Sequence, residues 1–144
     1  SSREPFAEKL LSLLGLGATV LIALAIAVLS ILPPSAVHAP LSLFPHADKI
    51  AHGVSYGALA LAAACGVLPS PRQDERFFRL GMVVLASAFY GGTLEIIQSL
   101  VGRSFSWLDM AANALGALLG VLVWNTFLVV HERRKMAREM ENEA

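Results

Sequence analysis

A small set of charged and polar side chains interrupts an otherwise apolar sequence, and their types could bind an anion or move a proton. The candidate binding residues are Asp48, Lys49, His52, Tyr56, Glu95, Gln98, Arg103, Asp109 and Asn113. Lysine and arginine suit a phosphate or a carboxylate, lysine as a point charge and arginine as a bidentate fork. His52, Glu95 and Asp109 are also candidates for acid–base catalysis, because a histidine beside a carboxylate can act as a base and a buried carboxyl group as an acid.

The spacing of these residues places them on shared helix faces. At about 100° per residue, Asp48, His52 and Tyr56 fall within about 80° of one another. Two further stripes consist of Gly91, Glu95, Gln98 and Gly102, and of Asp109, Asn113, Gly116 and Gly120. Glycines at four-residue spacing let a neighbouring helix approach closely. We therefore expect both stripes, and the polar groups on them, to face the interior of a helix bundle.

Each polar residue also has a purely structural interpretation. Asp48 can cap the start of a helix, and Ser106 followed by Asp109 fits a capping box. Glu95 lies well inside an apolar run, where an ionised carboxylate facing lipid is expensive. It must therefore face other helices, pair with a cation or carry a proton. A structural ion pair or a protonated packing group is the alternative to a functional role.

The elements that must position these residues are long apolar runs. Four runs are long enough to cross a hydrocarbon layer, which takes about 20 residues. The sequence predicts an all-α, polytopic membrane protein in which one domain forms a four-transmembrane-helix bundle. The predicted helices cover about residues 10–32, 50–68, 80–101 and 108–130, with a charged helical tail at 131–144. We interpret the first run as a retained helix, because signal-peptide apolar regions are shorter.

The distribution of basic residues predicts the orientation in the membrane. Lysine and arginine concentrate in cytoplasmic segments. The segments assigned to that side contain Arg3, Lys9, Arg72, Arg76, Arg79, Arg133, Arg134, Lys135 and Arg138. The opposite side has only Lys49 and Arg103. Both termini are therefore predicted to be cytoplasmic. The candidate residues then lie in the outer half of the membrane, and the inner half is expected to contain almost no polar side chain.

Composition excludes several classes of function. With 11 basic and 11 acidic residues, the chain has no bulk attraction for nucleic acid. Its single cysteine, Cys65, rules out an intrachain disulfide. One histidine with two acids is a thin ligand set for zinc, so neither a metal nor another cofactor is predicted. The proline-rich segment after the first helix is a hypothetical cap over the outer mouth of the bundle.

Taken together, these motifs resemble those of the VanZ-like membrane proteins. The resemblance covers roughly residues 46–120 and rests on the order and spacing of the three polar segments. Val54 and Ser55 depart from the pattern, since relatives often have an aromatic residue there. The resemblance implies a small multi-pass protein of the bacterial inner (plasma) membrane. The family's namesake is associated with low-level resistance to the glycopeptide teicoplanin.

Three classes of function remain open. The first is a non-enzymatic cell-envelope protein that binds an anionic lipid or amphiphile in the outer leaflet, such as a lipid-linked wall precursor or a glycopeptide. The second is a membrane-embedded enzyme acting on a phospholipid or polyprenyl-phosphate head group. The third is a small transporter or flippase. Membrane lipids or a lipid-linked cell-wall precursor are the expected partners, and the glycine stripes also allow a homodimer.

Overall fold

The fold consists of four helices that follow one another along the chain. In the computed structural model, residues 4–32, 46–67, 73–102 and 104–143 are described. The helices are α1 (Glu4–Ile31), α2 (Ala47–Val67), α3 (Gln73–Leu100) and α4 (Trp107–Glu143). The described ranges contain no strand, so the predicted all-α class is confirmed. The proline-rich segment between α1 and α2 lies outside these ranges, as does Arg103.

All four helices are long and apolar enough to cross a membrane. At most 33% of the residues in the most apolar window of any helix are buried inside the protein. The remaining apolar surface has to be covered by another apolar phase, and lipid chains provide one. The prediction of a multi-pass membrane protein is thus confirmed. The direction of insertion stays a prediction.

The helices begin earlier than the apolar runs do. The start of α3 at Gln73 precedes the predicted start by seven residues, and α2 begins at Ala47 rather than residue 50. Apolar runs mark only the part of a helix that faces hydrocarbon, whereas the helix continues through polar turns. Glu75 and Arg79 form an ion pair one turn apart at the start of α3, a spacing that supports helix.

The tightest contact in the bundle joins α2 and α4 through facing glycines. A Cβ atom on Gly116 would lie 2.0 Å from the carbonyl oxygen of Gly53, and one on Gly120 would lie 2.1 Å from that of Gly57. The two backbones are therefore in direct contact. These glycines pack within one chain, so they give no support to a homodimer, and the oligomeric state stays a prediction.

A second close crossing joins α1 to α2. A Cβ on Gly15 would lie 2.5 Å from the backbone nitrogen of Gly66. The Ser12 hydroxyl donates a hydrogen bond of 2.5 Å to the Gly66 carbonyl oxygen. Helix α2 is thus clamped on two sides by small residues, and α3 completes the bundle chiefly by packing on α4 and α2.

A buried ion pair lies at the end of the bundle where α2 ends and α3 begins. Arg76 belongs to α3, only 4% of its surface is exposed, and its guanidinium pairs with Glu132 of α4. The predicted helix bounds, 50–68 and 80–101, placed Arg76 and Arg79 in a loop, and this placement is wrong. The error arose because α3 was predicted to begin at Leu80, with the apolar run. Both residues lie outside the apolar runs, so the expectation that the inner half of the membrane contains almost no polar side chain stays a prediction.

Candidate functional site

The charged centre of the candidate site is the ammonium group of Lys49, in the first turn of α2. Its Nζ lies 2.6 Å from Oδ2 of Asp48 and 2.5 Å from Oδ1 of Asp109. Asp109 is in the first turn of α4, about one turn before Ala112 and two turns before Gly116, which both contact Gly53. The close α2–α4 crossing therefore brings the two charged turns together. The predicted convergence of Lys49 and Asp109 is observed.

His52 connects this charged centre to Asn113. Its Nδ1 lies 3.0 Å from Oδ1 of Asn113, while its Nε2 lies 4.0 Å from Oδ2 of Asp109. An amide oxygen can only accept, so Nδ1 has the proton and Nε2 is left unprotonated in the neutral ring. The group that orients His52 is thus an amide, where the sequence suggested a carboxylate. Asp109 stands near the other ring nitrogen.

Glu95 anchors the connection between α3 and α4. Only 2% of its surface is exposed, and its Oε1 accepts a hydrogen bond of 2.8 Å from the backbone N–H of Ser106. The Ser106 hydroxyl in turn accepts a 3.3 Å bond from the N–H of Asp109. Glu95 faces the bundle, as expected. Within the described part of the chain, the hydrogen-bond partner of the Glu95 carboxylate is the backbone amide of Ser106.

Three further candidates lie in the interior of the bundle. Tyr56, Gln98 and Asn113 are buried. A Cβ atom on Gly91 would lie 2.9 Å from both the Asn113 amide nitrogen and the Tyr56 ring. The absence of a side chain at Gly91 therefore makes room for these two residues to meet α3.

A groove leads away from the charged centre along the surface between α2 and α4. We call it the α2–α4 groove; its volume is about 580 Å³. Lys49 lines one end, and the remaining lining is glycine, alanine, leucine, isoleucine and valine. From Lys49 to Leu61 the groove follows α2 for roughly 18 Å, at 1.5 Å per residue. A charged end and a long apolar body match the shape of an amphiphile.

A comparison with known families identifies the chain. The family model VanZ/LLP1 matches residues 15–129, which include every candidate residue from Asp48 to Asn113. The chain belongs to the VanZ/LLP1 family. No curated protein and no solved structure shows significant similarity to it. The resemblance inferred from the three polar segments is therefore confirmed, and the match extends beyond them into α1.

The VanZ/LLP1 chain brings together candidate residues from three helices, and all of the candidates except Arg103 are among the described residues. Arg103 lies between α3 and α4, outside the described residues, so its predicted role as a second cation stays a prediction. The described candidates are Asp48, Lys49, His52, Tyr56, Glu95, Gln98, Asp109 and Asn113. They lie on the facing sides of α2, α3 and α4, and no group of three metal-ligating side chains occurs among the residues described.

The charge balance of this VanZ/LLP1 site is set by two acids around one cation. Asp48 is 41% exposed and Asp109 only 14%. An exposed ion pair contributes about 0–1 kcal/mol, so Asp48 is the partner that another anion can displace most easily. Asp109 is better shielded from water and holds the ammonium against α4. The more exposed side of the Lys49 ammonium group is therefore the side that Asp48 covers.

Sequence reasoning missed two parts of the VanZ/LLP1 site. Ser106 was considered only as a helix cap, although its backbone N–H also binds Glu95. The α2–α4 groove was not predicted at all, although Gly53, Gly57, Gly116 and Gly120 all line it. The matching four-residue glycine spacing on both helices was the available signal, because small side chains on two helices leave a furrow beside their contact.

Proposed function

We propose that this VanZ-family protein is a non-enzymatic component of the cell envelope that binds an anionic amphiphile. The head group binds at Lys49, and a hydrocarbon chain lies in the α2–α4 groove. One observation carries this proposal: the groove begins at Lys49, whose ammonium group lies between Asp48 and Asp109, and is otherwise lined by apolar or small residues. Such a lining favours a ligand that has one charged end and a long apolar body.

The chemistry of the head group follows from the groups around Lys49. A phosphate or carboxylate oxygen forms a charge-assisted hydrogen bond to an ammonium group. The anion replaces Asp48, the more exposed partner, while Asp109 continues to hold Lys49. Glu95 fixes Ser106 and so orients the start of α4, including Asp109. Arg103 is proposed as a second cation for the same head group.

Two further inferences concern the side of the membrane on which the site lies and the class of ligand that it binds. The distribution of basic residues predicts that Lys49 lies on the outer side of the membrane. Family membership connects the chain with a group whose namesake is associated with teicoplanin resistance. Lipid-linked wall precursors and lipoglycopeptides are amphiphiles that occur at that surface. We therefore propose an outer-leaflet site for a compound of this class.

Binding of a polyprenyl phosphate, compared with the corresponding uncharged polyprenol, tests the proposal. Purified protein in detergent is titrated with each compound, and bound lipid is counted by native mass spectrometry. Lys49→Met should weaken binding of the phosphate about tenfold, or ~1.4 kcal/mol, and should change binding of the alcohol little. Asp48→Asn should strengthen binding of the phosphate, because it removes the competing carboxylate.

Two groove variants provide the matched control. Leu119 lines the α2–α4 groove, whereas Leu122 is similarly exposed on the same helix and does not line it. Leu119→Trp should block both ligands, and Leu122→Trp should block neither. The proposal is contradicted if Leu119→Trp binds like the wild type, or if Asp48→Asn and Lys49→Met change phosphate binding in the same direction.

A membrane-embedded enzyme is the second candidate, and the contacts of His52 favour it. Asn113 holds the proton on Nδ1, so Nε2 is available as a base within 4.0 Å of Asp109. His52→Gln should then abolish hydrolysis of a polyprenyl-phosphate or phospholipid head group while binding persists. The check is product analysis by mass spectrometry after incubation with wild-type protein. If the wild type leaves the lipid intact, this candidate is rejected and the binding proposal is unaffected.

A further inference from the structure

A second groove lies between α1 and α3, on the surface of α2. We call it the α1–α3 groove; its volume is about 530 Å³. Helices α1 and α3 both pack on α2 but make few contacts with each other, so a slot remains between them. Its walls are almost entirely apolar or small side chains. Along α3 it extends from Arg79 to Tyr90, roughly 17 Å at 1.5 Å per residue.

The two ends of the α1–α3 groove differ in chemistry. At one end stands the guanidinium group of Arg79, near the C-terminal end of α2. At the other end the Tyr90 hydroxyl donates a 2.6 Å hydrogen bond to the Ala23 carbonyl oxygen and bridges α3 to α1. The groove is therefore an apolar slot with a cation at one end and a tyrosine bridge at the other.

The contacts of Arg79 leave its charge accessible. Its side chain is 49% exposed, and its ion-pair partner Glu75 is 47% exposed. Its hydrogen bond to the Val67 carbonyl oxygen is long, at 3.4 Å. Exposed pairs of this type contribute little because water competes for both partners. The neighbouring Arg76, by contrast, is buried and held by Glu132, which leaves Arg79 as the cation that lines this groove among the described residues.

We propose that the α1–α3 groove is a second lipid site, specific for a phospholipid with an anionic head group. One acyl chain occupies the slot, and the phosphate binds the guanidinium of Arg79. Arginine suits this role because its planar fork can bind two phosphate oxygens at once. The accessible positive charge of Arg79, which complements an anionic phosphate, and the apolar slot beside it carry the inference. It does not rest on the proposed function, which concerns Lys49 and the opposite end of α2.

Retention of phosphatidylglycerol, compared with phosphatidylcholine, tests this site. Delipidated protein in detergent is titrated with each lipid, and the bound molecules are counted by native mass spectrometry. Arg79→Gln should weaken phosphatidylglycerol binding about tenfold and abolish the preference over phosphatidylcholine. Arg134→Gln removes the same charge from an exposed position in the projecting part of α4 and should preserve the preference.

A second pair of variants tests the slot independently of charge. Ala86 lines the α1–α3 groove, whereas Leu85, the preceding residue, is exposed and does not line it. Ala86→Trp should abolish retention of this lipid, and Leu85→Trp should leave it unchanged. Unaltered phosphatidylglycerol retention in both Arg79→Gln and Ala86→Trp would overturn the proposal. A loss in Arg134→Gln equal to that in Arg79→Gln would overturn the specific role of Arg79.

Ligand binding at the two sites can be abolished independently. Lys49→Met should leave the lipid that depends on Arg79 in place, because Lys49 lines the α2–α4 groove and is not among the residues that line the α1–α3 groove. Conversely, Arg79→Gln should leave polyprenyl-phosphate binding unchanged. A variant with both substitutions should lose both ligands. If polyprenyl phosphate never binds the wild type, retention of phosphatidylglycerol through Arg79 still decides the second site.

Discussion

Replacing Gly116 with alanine should prevent α2 and α4 from reaching their observed contact. The new Cβ would lie 2.0 Å from the Gly53 carbonyl oxygen and 2.7 Å from its carbonyl carbon. Both are backbone atoms, so no side-chain rotation relieves the clash and the helices must separate. We expect a loss of about 3 kcal/mol or more, at the upper end of overpacking costs. Thermal unfolding in detergent and the yield of monodisperse protein measure it.

Two other glycines provide the control for this prediction. Gly17 and Gly81 are also helical, and a Cβ on either would meet nothing within 4 Å. Alanine at these positions should leave stability unchanged or raise it by about 0.5–1 kcal/mol, because glycine is less favourable than alanine inside a helix. If Gly116→Ala melts at the same temperature as Gly81→Ala, the direct α2–α4 backbone contact is wrong.

Replacing Glu95 with leucine should abolish ligand binding at Lys49 while the four helices remain assembled. Leucine fills the buried volume but leaves the Ser106 N–H without its acceptor, at a cost of about 1–3 kcal/mol. The start of α4, with Asp109, then loses its attachment to α3. Polyprenyl-phosphate titration measures the binding loss. Hydrogen exchange at Ser106 and its neighbours should rise, while exchange in the centre of α2 should not.

The Glu95→Gln variant distinguishes two roles of Glu95: accepting the hydrogen bond from Ser106, and supplying a negative charge to the site. The glutamine side chain keeps an oxygen that can accept from Ser106, so protection of the α3–α4 connection should be retained. If ligand binding is retained as well, Glu95 acts by positioning α4. If binding is lost although protection persists, the carboxylate charge itself is required. Full ligand binding by Glu95→Leu would contradict both interpretations.

The polar convergence could be predicted from the sequence because helix periodicity is strong over long apolar runs. Spacing alone put Asp48, His52 and Tyr56 on one face and linked Asp109 with Asn113 through the glycine stripe. The exact partners could not be obtained in the same way. Whether His52 meets Asn113 or a carboxylate depends on the relative rotation of α2 and α4, which a single sequence does not specify.

The buried ion pair and both grooves escaped prediction for a different physical reason. The helical position of Arg76 was not predicted because hydropathy marks where the apolar run begins, at Leu80, whereas the helix begins seven residues earlier, at Gln73. The grooves form where neighbouring helices do not touch. Their positions therefore depend on how the helices are arranged in space, which the sequence pattern does not give. The α2–α4 groove follows from small residues on both helices, and the α1–α3 groove from two helices that share α2 as their support.

The uninterrupted course of α4 has a mechanical consequence. At 1.5 Å per residue, its 37 residues make a rod roughly 55 Å long, well beyond the ~30 Å depth of a hydrocarbon layer. Asp109 stands near one tip, and the Glu132–Arg76 ion pair joins the helix to α3 further along. The direct backbone contact with α2 and the ion pair with α3 therefore hold α4 at two levels of the bundle, and its opposite tip, around Met140, projects beyond the far leaflet as a continuation of the same helix.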